Sequence, residues 1–195
     1  MKLQYLGDAL DHWKGAIIDH LQADGQLDNF AIDPMISDAA PWNAADLGLF
    51  ASLLHVKTHQ ILPHVAKLPA QRTAYFEEVI HPGDLFLDPD TGVATCAVRN
   101  LWQYVTPSEV RQLLARHDSR VVAVYQHIRA RRARRRVEEI VDKLRDPQVC
   151  FAACSYESST VAMLFLSRAE RRIRAINDSF RKRLGCHAEE RIHSW

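Results

Sequence analysis

The chain has 195 residues, and its 25 Lys and Arg residues nearly balance its 24 Asp and Glu residues, which gives a formal net charge of +1. Bulk charge therefore neither requires nor excludes a nucleic-acid partner. A hydrophobic fraction of 47% is typical of globular proteins, and the length predicts one domain, residues 1–195, with its own core. No apolar run reaches the roughly 18 residues of a membrane span, and no signal peptide is recognisable, so we expect a cytoplasmic protein.

The first half of the chain alternates predicted helices with short apolar segments. Residues 7–22 predict a helix, because apolar side chains recur at helical spacing and Gly25 follows as a stop. Asp8 and Asp11 fall on the opposite side of this helix, where they either form a solvated acidic first turn or face a cleft. A short strand at residues 30–32, a helix capped by Asn43 and a helix that begins at Pro69 are predicted next.

Two buried strands are predicted in the middle of the chain, each followed directly by polar residues. Residues 85–87 are Leu-Phe-Leu and lead into Asp88-Pro89-Asp90-Thr91-Gly92. Residues 121–125 predict a second central strand that ends at Gln126 and His127. Open α/β sheets bind ligands just beyond the carboxyl ends of their strands, so both strand ends are candidate site positions.

The remaining segments complete an alternating pattern. Thr106-Pro107-Ser108-Glu109 predicts a helix start, because a threonine cap, a proline at the first position and a glutamate at the third occur together. Helices are also predicted after His127 and at residues 169–184, with a strand pair at residues 149–154 and 160–166. The pattern predicts an α/β, three-layer Rossmann-like fold with a mostly parallel sheet and a C-terminal antiparallel strand pair.

Charged and imidazole groups are expected to converge at the carboxyl edge of this sheet. Aspartate oxygens suit Mg²⁺ or Mn²⁺, so Asp88 and Asp90 are candidate ligands of a metal that activates water, and Lys14 would stabilise developing charge. His127 is a candidate general acid or base. Taken singly, each residue is more often a turn or strand-end residue, and only their convergence indicates a site.

Basic and aromatic residues near the same edge predict a nucleic-acid or nucleotide substrate. The helix after His127 begins with an arginine cluster that includes Arg129, Arg131 and Arg132. Because these charges oppose the helix dipole, they either bind a polyanion or form a solvated helix surface. Tyr104 and Gln126 are further candidate substrate contacts, with Tyr104 available for base stacking.

Several motifs resemble an uncharacterised family of bacterial and phage proteins. The motifs are a Tyr-x-Gly-Asp-x-x-Asp-x-x-Lys-like helix from Tyr5 to Lys14, a strand ending in Asp-Pro-Asp-x-Gly from Asp88 to Gly92, a Tyr-Val pair at Tyr104, and a strand ending in Tyr-Gln-His from Tyr125 to His127. The likeness spans residues 5–127 and implies no established activity.

A more distant resemblance is to Rossmann-like methyltransferases, including three-Cys-motif partner proteins and adenine-N6 ribosomal RNA methyltransferases. It implies S-adenosylmethionine as the cofactor, with Asp8, Asp11 and Asp33 as candidate cofactor-binding residues. In amino-methylating enzymes, an Asp-Pro-Pro-Tyr-like motif presents a backbone carbonyl and a side-chain oxygen to the target amine, and here Asp88-Pro89-Asp90-Thr91 takes that place. The sequence departs from this group after the first strand, where residues 32–38 contain no glycine.

Three functions are compatible with these patterns. The first is a methyltransferase-like enzyme that acts on nucleic acid or nucleotides with S-adenosylmethionine. The second is a nuclease or phosphodiesterase that uses Mg or Mn at Asp88 and Asp90. The third is a non-enzymatic phage or defence-related binding protein on a degenerate Rossmann-like scaffold, which predicts local turn hydrogen bonds at these aspartates and no open pocket.

Overall fold

The computed structural model describes residues 1–39, 41–62, 75–76, 81–128 and 133–195. The helices are α1 (Ala9–Ala23), α2 (Ala44–Leu53), α3 (Pro107–Ala115), α4 (Ala133–Leu144), α5 (Glu170–Leu184) and α6 (Ala188–Arg191). The strands are β1 (Ala31–Asp33), β2 (Leu85–Leu87), β3 (Gly92–Val93), β4 (Tyr104–Val105), β5 (Val122–His127), β6 (Ala152–Glu157), β7 (Val161–Ser167) and β8 (Ile192–Ser194).

Six of the strands in the described part of the chain form one sheet, in the order β1-β2-β5-β7-β6-β8. β1, β2 and β5 are parallel, with Ile32 opposite Phe86 and Phe86 opposite Ala123. β7 runs antiparallel to both β5 and β6, and β8 runs antiparallel to β6. The predicted α/β Rossmann-like fold, with its C-terminal antiparallel strand pair, is confirmed.

The connections on the two sides of β1 run in opposite directions across the sheet. After β1 the chain forms α2 and then reaches Ile61, which bridges Ile32 in parallel on the edge of β1 away from β2. Farther along the chain, β2 lies on the other edge of β1. The carboxyl ends of β1 and β2 therefore flank a topological switch point, which is where open α/β sheets bind ligands.

Helices cover both faces of the sheet and bury two apolar layers. One layer includes Leu21 of α1, Phe50 of α2 and Phe180 of α5. The other includes Leu113 of α3 and Ile140 of α4. Successive residues of the central strands enter opposite layers, because side chains alternate across a strand. A fully buried side chain of this size contributes about 1.5–3 kcal/mol to folding.

Three helices begin at polar caps, and the sequence predicts two of these caps, Asn43 and Thr106. Asp8 caps α1 by accepting hydrogen bonds from backbone N–H groups of the first turn. Asn43 caps α2 in a capping box with Asp46, and Thr106 caps α3 in a capping box with Glu109. Each cap satisfies backbone donors that a helix cannot satisfy itself.

Some segments differ from the prediction. The strand predicted at residues 149–154 is observed as β6, which extends to Glu157 because Tyr156 and Glu157 pair with Met163 and Ala162 of β7. The short elements α6 and β8 were not predicted, because their few residues carry no periodic pattern. The helix predicted from Pro69 lies outside the described residues, apart from residues 75–76. Among the described helices, none combines the length and apolar character needed to cross a membrane.

Candidate functional site at the carboxyl edge

A pocket of about 360 Å³ opens at the carboxyl edge of the sheet, beside the switch point. Its walls come from the N-terminal segment, the first half of α1, the turn after β2 and the end of β5. The lining includes six residues that the sequence singles out: Asp8, Asp11, Lys14, Asp88, Asp90 and His127. The tertiary structure therefore brings three separate segments to one opening.

Lys14 lies at the centre of a buried charge cluster. Its Nζ is 3.0 Å from Oδ1 and 2.8 Å from Oδ2 of Asp88, and 2.8 Å from Oδ1 of Asp11. Lys14 is 2% exposed, Asp11 0% and Asp88 1%, so salt screens these contacts little. The ammonium also lies 4.7 Å from the centroid of the Tyr125 ring, at cation–π distance. Lys14 thereby joins α1 to the turn after β2.

Burial and neighbouring charges act in opposite directions on this cluster. Burial disfavours the charged ammonium of Lys14, but Asp88 and Asp11 outweigh it and raise the pKa of Lys14 above its ordinary value. Burial raises the pKa of the Asp88 carboxyl, and the ammonium groups of Lys14 and Met1 oppose that shift. Lys14 is thus charged at neutral pH, and its removal would leave carboxylates buried without a counter-ion.

Met1 fills the crevice directly in front of β1 and β2. Its amino group donates hydrogen bonds to the carbonyl oxygens of Met35, at 2.8 Å, and Asp88, at 3.3 Å. The same nitrogen lies 3.1 Å from Oδ1 of Asp90, and the hydroxyl of Ser37 donates to Oδ2 of Asp90 at 2.5 Å. Residues distant in sequence therefore hold the Asp90 carboxylate.

Tyr125 also lines the pocket, on the strand that ends at His127. The residue is 3% exposed, and its hydroxyl has no hydrogen-bond partner among the described residues. Burial raises the pKa of the phenol well above its ordinary value, and the nearby carboxylates of Asp88 and Asp8 raise it further. The hydroxyl is thus a protonated donor, and a buried donor without a partner is costly and calls for a ligand or a water.

The start of α1 holds two of the acidic residues in place. Oδ1 of Asp8 accepts hydrogen bonds from the N–H groups of Leu10, at 2.8 Å, and Asp11, at 3.2 Å. Oδ2 of Asp11 accepts a hydrogen bond from the N–H of Gly7 at 2.9 Å, and its Oδ1 lies 2.8 Å from Nζ of Lys14. The polar side of α1 therefore faces the cleft, and the alternative of a solvated acidic first turn does not hold for Asp11.

Gln126 holds the turn after β2 instead of lining the pocket. Its Oε1 accepts from the N–H of Val93 at 2.8 Å, and its Nε2 donates to the carbonyl oxygens of Thr91, at 3.1 Å, and His127, at 2.6 Å. Gly92 has φ of 122°, and a Cβ there would lie 2.2 Å from Oε1 of Gln126. The predicted substrate contact is thus corrected: the polar atoms of Gln126 bind backbone groups and fix the turn.

Two other predicted residues lie outside the pocket lining. Asp33 is fully buried at the end of β1, where Oδ1 accepts from the N–H of Met35 at 2.9 Å and Oδ2 accepts from the hydroxyl of Tyr75 at 2.8 Å. Its carboxylate shapes the loop after β1, which corrects the predicted cofactor contact. Tyr104 is half-buried in β4 opposite Gly92, so it lies beside the turn after β2.

The predicted arginine contacts cannot be placed at the pocket, because Arg129, Arg131 and Arg132 lie outside the described residues. Farther along α4, exposed arginines form ion pairs within the helix, such as Arg134 with Glu138 at 3.2 Å. Pairs of this kind are typical of a solvated helix surface and contribute a few tenths of a kcal/mol. The described part of α4 therefore carries balanced charge.

Met1 and Tyr125 also line the pocket but were not among the predicted site residues. A signal for Tyr125 existed, because residues two apart on a strand share a face, and Tyr125 precedes His127 by two. Met1 had no such signal, because long-range hydrogen bonds to Met35 and Asp88 decide its place.

The carboxylates of the pocket fit a metal ion poorly. Within the described ranges, no group of three or more His, Cys, Asp or Glu residues is placed to hold one. Both oxygens of Asp88 face the ammonium of Lys14, and those of Asp90 face the Met1 amino group and the Ser37 hydroxyl. A metal at either carboxylate would have to displace a group that is already bound.

The size of the pocket is compatible with a small molecule such as the expected cofactor, S-adenosylmethionine. Its volume lies within the range of roughly 300–1,000 Å³ that small-molecule sites occupy. The lining includes four aspartates, and the Tyr125 hydroxyl has no hydrogen-bond partner among the described residues. Because the loop after β1 lacks glycine and Met1 covers it, contacts to this cofactor would come from α1, the turn after β2 and the end of β5.

No protein-family model matches the chain, and no curated protein matches it. We therefore infer the function from the fold and from the geometry of the carboxyl edge.

Proposed function

We propose that this chain is a methyltransferase-like enzyme that acts on nucleic acid or nucleotides at the carboxyl-edge pocket. One observation carries the proposal: the turn after β2, the end of β5 and the start of α1 line one pocket beside the switch point of a Rossmann-like sheet. S-adenosylmethionine, when bound there, would supply an electrophilic methyl group.

His127 and Asp90 are the residues that we assign to the reaction. His127 is half-buried in the pocket wall and is the candidate general base for a proton of the target group, because imidazole titrates near neutral pH. Asp90 lies on the same lining, and because each carboxylate oxygen has two acceptor sites, it can accept a hydrogen bond from a target amine beside its contacts with Met1 and Ser37.

Lys14, Asp11 and Asp88 are positioning residues in this proposal. The resemblance to amino-methylating enzymes implies that the carbonyl and side chain of Asp88 contact the target amine. In this chain Lys14 binds the side chain and Met1 donates to the carbonyl, so both acceptors are engaged. Asp88, which is 1% exposed, thus anchors the turn, and the Asp90 side chain, which is 11% exposed, takes the position that faces the substrate.

The two other functions compatible with the sequence have less support. A nuclease would need a metal at Asp88 and Asp90, whose oxygens already contact Lys14 and Met1. A binding protein on a degenerate scaffold predicts local turn hydrogen bonds and no pocket. The aspartates instead form long-range ion pairs beside a pocket of about 360 Å³.

A methyl-transfer assay tests the proposal. Radiolabelled S-adenosylmethionine is supplied with total RNA, DNA or mixed nucleotides in separate reactions, and we expect incorporation into at least one of them. His127→Gln should slow transfer by about 10²–10⁴-fold, the usual contribution of a general base. His187→Gln is the matched control, because His187 is exposed and does not line the pocket. No transfer to any substrate, with no binding of the cofactor in calorimetry, would overturn the proposal.

A further inference from the structure

The pocket contains more carboxylates than ammonium groups. Its carboxylates belong to Asp8, Asp11, Asp88 and Asp90. The lining residues that carry ammonium groups are Met1, Lys2 and Lys14. A cavity lined in this way attracts a ligand that brings positive charge, because a carboxylate shielded from water interacts strongly with a nearby cation.

Asp8 is the carboxylate without a counter-ion. The single ammonium of Lys14 contacts both Asp11 and Asp88 at 2.8 Å, and the amino group of Met1 lies 3.1 Å from Asp90. Among the residues that the structure describes, Asp8 has no ion-pair partner, and the hydrogen bonds to its carboxylate come from the backbone of α1. Its charge is therefore available to a ligand.

The Tyr125 hydroxyl is an independent sign of a ligand in the same place. Tyr125 is 3% exposed and lines the pocket, and its hydroxyl is unpartnered within the described part of the chain. Burial, and after it the nearby carboxylates of Asp88 and Asp8, raise the pKa of the phenol, so the protonated hydroxyl can donate a hydrogen bond to an acceptor atom of a ligand.

We infer that this pocket selects its ligand by charge: it binds the cationic S-adenosylmethionine in preference to the neutral S-adenosylhomocysteine, with Asp8 attracting the cation and Tyr125 donating a hydrogen bond. The inference rests on the proposed function and extends it to the charge state of the ligand. The two compounds differ by one methyl group and by the positive charge of the sulfonium, so their comparison isolates the electrostatic contribution.

Calorimetric titration of the wild-type protein with each compound, in buffer of low ionic strength, measures the preference. We expect S-adenosylmethionine to bind at least about tenfold more tightly. Because ions screen partly exposed charges, the ratio of the two affinities should fall when about 0.5 M NaCl is added. A ratio that does not change with salt would contradict a charge-based preference.

Asp8→Asn removes the charge and keeps the helix cap, because asparagine caps helices as well as aspartate does. We expect the ratio of affinities to fall to within about threefold of unity in this variant, as the attraction is lost. Asp19→Asn is the matched control, since Asp19 lies exposed on α1 and does not line the pocket. This variant should keep the wild-type ratio.

Tyr125→Phe tests the donor. Loss of a hydrogen bond to a ligand should weaken the binding of both compounds by about fivefold. The melting temperature of the unliganded protein should stay unchanged or rise, because the hydroxyl has no partner in the described structure. Wild-type affinity in this variant would refute the role of Tyr125.

The outcomes separate this inference from the function on which it rests. Equal affinity of the wild-type protein for the two compounds would overturn charge selection and leave the proposed function standing. Failure of both compounds to bind would overturn the proposed function and the inference together. A preference that persists in Asp8→Asn would overturn the role of Asp8.

Discussion

The two ends of β2 each carry a buried aspartate, and the two side chains have different partners. Asp84 precedes the strand and is tied mainly to backbone groups: Oδ1 accepts from the N–H of Val121 at 2.8 Å, and Oδ2 accepts from the N–H of Asp28 at 2.7 Å. Arg172 adds a contact of 2.6 Å to Oδ2. These contacts connect three segments at the amino edge of the sheet.

Asp88, at the other end of the strand, is held by side-chain and terminal ammonium groups. Both of its oxygens contact Lys14, and a pocket with an unpartnered tyrosine hydroxyl lies beside them. Burial of a charged group therefore does not by itself identify a functional site, since Asp84 and Asp88 are equally buried. Adjacent space and an unused polar group in the described structure distinguish the carboxyl edge from the amino edge.

Removal of the Lys14 charge should give the largest effect. Lys14→Met leaves Asp11 and Asp88 buried without a counter-ion, so we expect the free energy of unfolding to fall by about 3–5 kcal/mol in urea titrations. Lys182→Met, on the exposed surface of α5, should change it by no more than about 0.5 kcal/mol. A loss below about 1 kcal/mol in Lys14→Met would mean that the carboxyl-edge cluster does not support the fold.

A change at the amino edge should be smaller and should leave the pocket intact. Asp84→Asn keeps the shape of the side chain but removes the charge that Arg172 contacts, so we expect a loss of about 1–3 kcal/mol in the free energy of unfolding. The affinity for S-adenosylmethionine, measured by calorimetry on the folded protein, should not change. Loss of binding in folded Asp84→Asn would abolish the distinction between the two edges.

High pH should gradually reduce the contribution of Lys14 to the free energy of unfolding. Because the pKa of Lys14 is raised in the folded protein, its stabilising contribution is complete below the unfolded pKa of about 10.5 and is lost as the pH rises through the folded pKa. The difference in free energy of unfolding between wild type and Lys14→Met should therefore shrink above about pH 10.5. A difference that stays constant from about pH 9 to 11.5 would contradict this.

The sequence patterns predicted most of the scaffold because its signals are local. The caps at Asn43 and Thr106 need only nearby backbone groups, and the structure confirms both predictions. The strands at residues 85–87 and 122–127 follow from short apolar runs that end in turn residues. Element boundaries were less accurate where pairing decides them, as in β6, whose last residues are held by β7.

The patterns identified six lining residues of the pocket but not the part that each plays. A glutamine at a strand end has the same local signal whether it binds a substrate or backbone groups. Gly92 has no side chain, so the Gln126 side chain fits against the turn and binds backbone groups there. Asp33 is a similar case, because its partners Met35 and Tyr75 occupy both carboxylate oxygens.

Local chemistry along the chain was sufficient for the element order, the helix caps and the α/β class, because hydrogen bonds and apolar periodicity within a few residues decide them. Contacts between distant segments decided the burial and the pairing of Lys14 with Asp88. Lys14 belongs to the polar side of α1 by any pattern, and it is buried only because Asp88, far along the chain, meets it there. The energy of a charge depends on its surroundings, and those surroundings exist only after the chain has folded.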